Sequence, residues 1–376
     1  MVLLYRARGR VMFSIMKKIL TFICFIASCC FSFAQFTGDG FYRVQNHGTK
    51  RFLTVVDNRA SVNLATTNPD LAAILPIRNI ERIVGNPGSI IYIHQASSND
   101  YSLRAQGVDS YDLIGVYLNL KKMNDGTYYA YAKAQGLTKY LFDEMSDYDE
   151  GWLMTSGPNE TKKWNIIPLN SSSDNYFAAV PEFEHNGSYY TTMYSAFPYK
   201  SVDGNVSMHY ITLVDKDCAV IKEVADGFVP AATAVIVKCA SPDYNENRLD
   251  VFTSGGSSVA NNRLSGVYFN NSNNKHLNRV VYDPNTMRVL GTLSDGSLGF
   301  ITADIQYLPA NKAYLKVPAG SAKEIRIITE EEYETSIENT LSDESARTDF
   351  YDLSGRRVTK TSKGLYLTSK GQKILK

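Results

Sequence analysis

Phe41-Tyr-Arg-Val44, followed by the apolar pair Phe52-Leu53, is the stretch on which the fold turns, because the chain states it again twice. Ile91-Tyr-Ile-His94 is followed by Ser102-Leu103, and Tyr129-Ala-Tyr-Ala132 by Tyr140-Leu141. Leu53, Leu103 and Leu141 each stand nine residues beyond Val44, His94 and Ala132. Within these segments apolar residues alternate, the period of a half-buried strand rather than of a helix. Two units also close alike, with Leu75-Pro-Ile77 echoed by Trp164-Asn-Ile166; the second is expected to close within Val116-Tyr-Leu-Asn-Leu120. A single strand pair buries too little to stand alone, so the three units are expected to share one core over residues 36–170.

Composition extends this reading to the whole chain. The 376 residues include 25 Tyr and 17 Phe, and no long amphipathic helical pattern interrupts the alternation. That balance predicts an all-β protein. Lys and Arg number 39 against 38 Asp and Glu, so neither nucleic acid nor an anionic membrane surface is an evident partner.

Asn170-Ser-Ser-Ser-Asp-Asn175 is a polar, turn-forming run and predicts a boundary. Beyond it, residues 176–328 carry further short strands, among them Tyr189–Tyr194, Met208–Leu213, Gly266–Phe269 and Ile325–Ile328. One echo stands out: Val229-Pro-Ala-Ala-Thr-Ala-Val-Ile236 against Leu308-Pro-Ala-Asn-Lys-Ala-Tyr-Leu315. Each reads as a Pro-Ala turn launching an alternating strand, as if two halves of a sandwich each presented one such edge. Residues 329–348, with Glu330-Glu-Glu332 and Asp343-Glu-Ser345, read as an acidic linker. Residues 349–376 read as a small β tail: a strand, a Ser-Gly turn, a basic strand, a Lys-Gly turn, an alternating strand and a basic end.

At the other end, Met16-Lys17-Lys18 precedes an uncharged run from Ile19 to Ala34. A basic start, a short apolar stretch and a small residue before Gln35 predict a signal peptide over residues 1–34, with residues 1–15 a doubtful upstream extension. Ile26-Ala-Ser-Cys29 offers the alternative of a lipoprotein anchored through Cys29. No stretch is long enough for a membrane-spanning helix. Outside that signal only Cys218 and Cys239 remain. A symmetric hairpin of residues 219–224 and 232–238 would set them opposite one another, within reach of a disulfide; the alternative is two small buried thiols.

The tail residues Tyr351, Asp352, Leu353, Gly355, Arg356, Val358, Gly364, Tyr366 and Lys373 resemble, in order and spacing, the C-terminal sorting domain of cargo of the type IX secretion system. That resemblance implies export, a secreted or outer-membrane-attached location, and the secretion machinery as a partner. Tyr-Arg-Val-x-Asn followed by Arg-Phe-Leu-Thr-Val, in the first unit, is similar to the opening repeat of ricin-B-type β-trefoil lectins. The resemblance implies a β-trefoil over 36–170. The paired Pro-Ala strands resemble a β-sandwich module found ahead of such tails, which implies a sandwich over 176–328. Ricin-type repeats close on Gln-x-Trp; here Trp164 follows Lys162-Lys163, a departure that bears on sugar binding rather than on fold.

The lectin resemblance directs attention to Asp143-Glu-Met-Ser-Asp-Tyr-Asp-Glu-Gly-Trp152. In lectin trefoils the equivalent loop supplies an acid for sugar hydroxyls and an aromatic platform, roles open here to Asp143 or Asp149 and to Tyr148 or Trp152. The alternative is a solvated acidic loop with Trp152 in the core. The first unit offers Asp57, Asn58 and Asn63. Ca²⁺ on Asp147 and Asp149 would lack regular EF-hand spacing. The five histidines are scattered, Glu182-x-Glu184-His185 reads as an exposed turn, and neither a nucleophile elbow nor a phosphate loop is present. Neither a cofactor nor a catalytic residue is expected. The sequence therefore points to a secreted or surface binding protein, with glycan the expected partner. The alternatives are a non-catalytic structural accessory and a hydrolase whose carboxylates no spacing singles out.

Overall fold

The structure, a computed structural model, describes residues 36–54, 77–78, 83–105, 109–110, 118–134, 136–143, 151–154, 159–267, 280–337, 350–358, 365–368 and 373–375. The chain is all-β in architecture. The signal peptide expected over residues 1–34 lies outside the described residues.

The first module contains β1 (Gly40–Asn46), β2 (Phe52–Leu53), β3 (Ile77–Arg78), β4 (Ile91–Gln95), β5 (Asp100–Ala105), β6 (Asp109–Ser110), β7 (Asn119–Lys122), β8 (Tyr128–Ala134), β9 (Leu137–Asp143), β10 (Gly151–Met154) and β11 (Lys163–Pro168). Strands β1, β4, β5, β7, β8 and β11 pair in that order, and β11 returns to β1, closing a six-stranded antiparallel barrel. Closure leaves no open edge, which suits short strands that are weak alone. β2–β3, β6 and β9–β10 are excursions from it.

Alternation fills the barrel. Tyr42 and Val44 from β1, Ile91 and Ile93 from β4, Tyr101 and Leu103 from β5, Leu120 from β7, Tyr128 and Ala130 from β8, and Trp164 and Ile166 from β11 form one core. The buried Trp164 indole N–H donates to Leu141 O at 3.2 Å, meeting the need of its one polar atom. Tyr42, Tyr101 and Tyr128 hold corresponding places on β1, β5 and β8; Phe36 packs on the first two, and Tyr101 meets Tyr128 edge-on. The repeat is therefore phased differently from the sequence reading. Phe41–Val44 and Tyr129–Ala132 lead out of the barrel into β2 and β9, whereas Ile91–His94 leads into β5, which remains in it.

The second module has β12 (Phe177–Ala178), β13 (Phe183–His185), β14 (Ser188–Met193), β15 (Tyr199–Ser201), β16 (Val206–Asp215), β17 (Cys218–Glu223), β18 (Phe228–Val229), β19 (Val235–Cys239), β20 (Arg248–Val251), β21 (Leu264–Gly266), β22 (Met287–Thr292), β23 (Leu298–Ile301), β24 (Ala313–Lys316) and β25 (Glu324–Ile328). Ten of them form one sheet in the order β13-β14-β19-β16-β17-β25-β23-β22-β24-β21; β12, β20, β15 and β18 form a smaller one. Read inward from its two ends, the large sheet gives the same order twice: β14-β19-β16-β17 and β21-β24-β22-β23. β25 fills the seam, parallel to β17 and antiparallel to β23.

The register confirms the duplication. Met193 opposes Val235 as Ser265 opposes Tyr314, and Met208 opposes Val237 as Met287 opposes Lys316. The Pro-Ala turns launch β19 and β24, which lie inside the sheet, not at its edges as expected. Ala313 N donates to Thr192 Oγ1 at 3.1 Å and Lys312 Nζ to Thr191 Oγ1 at 2.7 Å, so the sheet curls until its two limbs meet. At that meeting the Tyr194 ring lies on Gly266, where an added Cβ would come within 1.9 Å of it.

The expected hairpin joining residues 219–224 to 232–238 is not formed. β16 lies between β17 and β19, with Cys218 opposite Asp215 and Cys239 opposite Val206. Nine residues of extended β16 set these positions about 30 Å apart, far beyond disulfide reach, and both thiols are free.

Within the acidic segment expected as a linker, residues 330–337 form a helix. Glu332 N donates to Thr329 Oγ1 at 3.2 Å, and Thr329 N to Glu332 Oε2 at 2.8 Å, a reciprocal capping box. Tyr333 Oη then donates to Asp215 at 3.0 Å, tying the helix to the β16–β17 turn. The tail forms a four-stranded sheet of Phe350–Tyr351, Arg357–Val358, Leu365–Thr368 and Lys373–Leu375. Asp352 Oδ1 accepts from Ser354 N at 2.9 Å and Arg356 N at 3.0 Å around Gly355, whose φ of 80° favours glycine.

Candidate functional site

The period of two that sends Tyr42 and Val44 into the barrel turns Phe41 and Arg43 outward, toward the second module. Arg43 is fully buried there. Its Nε donates to Ser89 Oγ (3.1 Å), Nη1 to Asn175 Oδ1 (2.9 Å) and Tyr176 O (2.6 Å), and Nη2 to Ile83 O and Val84 O (3.4 and 3.3 Å). All of these acceptors are neutral oxygens. Burial pulls the guanidinium pKa down to about 9, which leaves it charged at neutral pH. Only a planar fork of five N–H groups can serve so many acceptors at once.

Asn175 closes the serine-rich run that predicted a boundary. Its Nδ2 donates back to Ile167 O (3.0 Å) and Pro168 O (2.9 Å). From the far side Arg248 Nη1 donates to Ser171 O and Ser173 O while its guanidinium stacks 4.0 Å from the Tyr176 ring centroid. The boundary is thus a joint held by one arginine from each module.

Phe41 packs against Phe197 and meets Tyr92 edge-on, with centroids 5.2 and 5.3 Å apart. Beside this pair lies a cleft of about 460 Å³, lined by Phe41 and Tyr92 of the barrel and by Ala196, Pro198, Pro230, Ala231, Thr253, Ser254 and Gly255 of the second module. No Asp, Glu, Lys, Arg or His lines it. Further along the outward face of β4, His94 Nδ1 contacts the Asp39 carboxylate, whose other oxygen accepts from Gln95 N at 2.9 Å. The first Pro-Ala turn contributes Pro230 and Ala231 to the cleft, while Ala310 of the second packs on the barrel core. Each of the duplicated turns thus meets the barrel, beside the arginine joint.

Of the residues singled out from sequence, Asp143 is buried at the end of β9. Its carboxylate pairs with Arg51 and accepts from Thr49 Oγ1, so it ties β9 to the turn ahead of β2. Trp152 lies on β10, its backbone opposite Phe142. Tyr148, Asp149, Asp57, Asn58 and Asn63 lie outside the described residues, as does Asp147. Glu182-x-Glu184-His185 runs into the Asn186-Gly187 hairpin turn as expected, with Glu182 paired to Lys312 at 2.9 Å. Among the described residues no cluster of His, Cys, Asp and Glu could hold a metal ion. No helix among the described residues is long and apolar enough to cross a membrane.

The sequence reading missed Arg43 and the cleft. The available signal was the out-facing half of the alternation: Phe41, Arg43 and Tyr92 are large groups on strands whose other face already fills the barrel, so a second body must cover them. The chain matches no protein-family model and no curated protein.

Proposed function

We propose that this is an exported, non-catalytic binding protein whose barrel is a β-trefoil of the ricin-B lectin type directed at carbohydrate. In this reading the second module is a sandwich-type stalk and the tail is a type IX sorting domain. The observation that carries it is the barrel itself. Six strands pair in chain order, excursions leave after β1, β5 and β8, and the same three strands bring Tyr42, Tyr101 and Tyr128 to corresponding places in the core. Two paired excursions, β2–β3 and β9–β10, and the single strand β6 leave a closed six-stranded barrel at three matching places, the pattern expected of a threefold trefoil. The aromatic, uncharged cleft supports binding over hydrolysis, since glycoside cleavage needs a fold-set pair of carboxylates and this cleft has none.

A glycan array probed with residues 36–376 tests the binding reading. Retention of defined glycans, at least one of which is lost when Asp149 and Trp152 are replaced by Ala in a protein of unchanged melting temperature, is the expected result. An array without signal sinks it. For the tail, truncation at residue 349 is expected to leave folded protein in the periplasm; full secretion of the truncated form would refute the sorting role.

A further inference from the structure

None of the residues that line the cleft at the joint belongs to β2–β3, β6 or β9–β10, and nothing in the barrel alone creates it. Its barrel wall is the Phe41–Tyr92 ring pair, its opposite wall Pro198 and Pro230, and its rim the exposed Thr253 and Ser254. We propose that this cleft is a second binding site, for a neutral saccharide of one or two rings.

Three properties select that ligand. About 460 Å³ falls within the range of small-molecule sites, roughly 300–1,000 Å³, and is too small for a folded partner. The lining holds no charge, so an anionic or cationic ligand would lose its hydration without a counter-charge. The mixture of ring faces and hydroxyls matches a pyranose, with apolar C–H faces and a rim of hydroxyls. Tyr92 adds a phenol to its ring, and such amphipathic side chains recur where a site must grip both kinds of surface.

The cleft is also held in shape. Phe41 is braced by Phe197, and Arg43, two residues along β1, locks the strand to the second module. The Thr253–Gly255 wall rests on Phe228, whose ring pairs with Phe252 at 4.7 Å. A pre-formed site loses little freedom on binding.

The test is titration calorimetry of residues 36–376 with cellobiose, maltose, lactose and N,N′-diacetylchitobiose. Saturable binding of at least one is expected, with a component weakened about tenfold or more by Tyr92→Ala and lost in Ser254→Trp, which fills the cleft from an exposed position. Asp149→Ala/Trp152→Ala leaves this site intact. Binding untouched by Ser254→Trp but lost in the Asp149/Trp152 variant overturns the cleft and preserves the lectin reading. Binding lost only through the cleft variants supports the cleft and removes the barrel excursions as the sugar site. No binding of any of the four sugars overturns the proposal. Circular dichroism confirms that each variant is folded.

Discussion

Ala232 and Asn311 occupy the same position in the two Pro-Ala turns and the same left-handed conformation, with φ of 54° and 57°. Each donates its N–H to a matching carbonyl, Ala232 to Ser195 at 2.8 Å and Asn311 to Val267 at 3.0 Å. Asn311 goes further: its Nδ2 donates to Tyr194 O at 3.0 Å, and its carbonyl accepts from Tyr194 N at 2.9 Å. Both turns therefore grip the Tyr194–Ser195 segment, one through each limb of the curled sheet.

The two sites are unequal in strain. A left-handed conformation costs an L-residue about 1–2 kcal/mol, and Asn is among the few that tolerate it. Ala232 is exposed, so Ala232→Asn is expected to raise unfolding free energy by about 0.5–1 kcal/mol. Asn311→Ala adds strain and removes the hydrogen bond to Tyr194 O, and is expected to lower it by about 1–3 kcal/mol. Urea unfolding of both variants checks the pair; equal and small effects would contradict the assigned turn geometry.

Arg43 carries the joint. Arg43→Met keeps the apolar stem but strands Asn175 Oδ1 and the carbonyl of Tyr176 without donors. A loss of about 3 kcal/mol or more is expected, since each buried orphan costs roughly 1–3 kcal/mol. Limited proteolysis should then cut within residues 169–175 faster than in the parent protein. Arg43→Lys is expected to fail in the same way, because an ammonium cannot reproduce the fork.

His209 makes stability depend on pH. Burial holds its pKa below the usual 6.5, reinforced by Lys238 and opposed by its cross-strand partner Glu223. The folded state thus favours the neutral ring, and the unfolded state binds the proton more readily. Its contribution is fully present above pH 6.5 and is lost as pH falls through 6.5 toward the lower folded value. Unfolding free energy measured from pH 8 to 5 should decline for the parent and decline less for His209→Gln.

The thiols test the sheet order. Without reductant, the denatured protein from residue 36 onward should titrate two free thiols. In the native state Cys218, half-buried, should react first; Cys239, its pKa pushed up to about 12 by burial, should be protected. Recovery of no free thiol would mean that β17 and β19 are neighbours, against the topology described.

Alternation alone was enough to read the β class, and the repeated Pro-Ala motif pointed to the two matching turns. What it could not give was pairing. Residues 219–224 and 232–238 look like a hairpin because they are consecutive, but β16 offers both its edges to them, and a one-dimensional pattern carries no information on which edge is free. The repeat phase failed similarly: Tyr42, Tyr101 and Tyr128 match by their place in the barrel, while the more conspicuous Ile91–His94 matches by composition. Thr329-x-x-Glu332, a capping box in plain view, was masked by the acidity of its neighbours. The cleft was legible only as a surplus of large residues on the outward face of β1 and β4.

The seam strand sets an order of events. β25 joins β17 to β23, and it is the last strand of its sheet to be synthesised. Until residue 328 has been made and delivered, the two limbs end in bare ladders of unpaired amides, the adhesive surface that chains in transit must avoid presenting. A chain threaded across a membrane from its N-terminus would remain unclosed until nearly all of it had crossed, then seal in one step as the tail arrived.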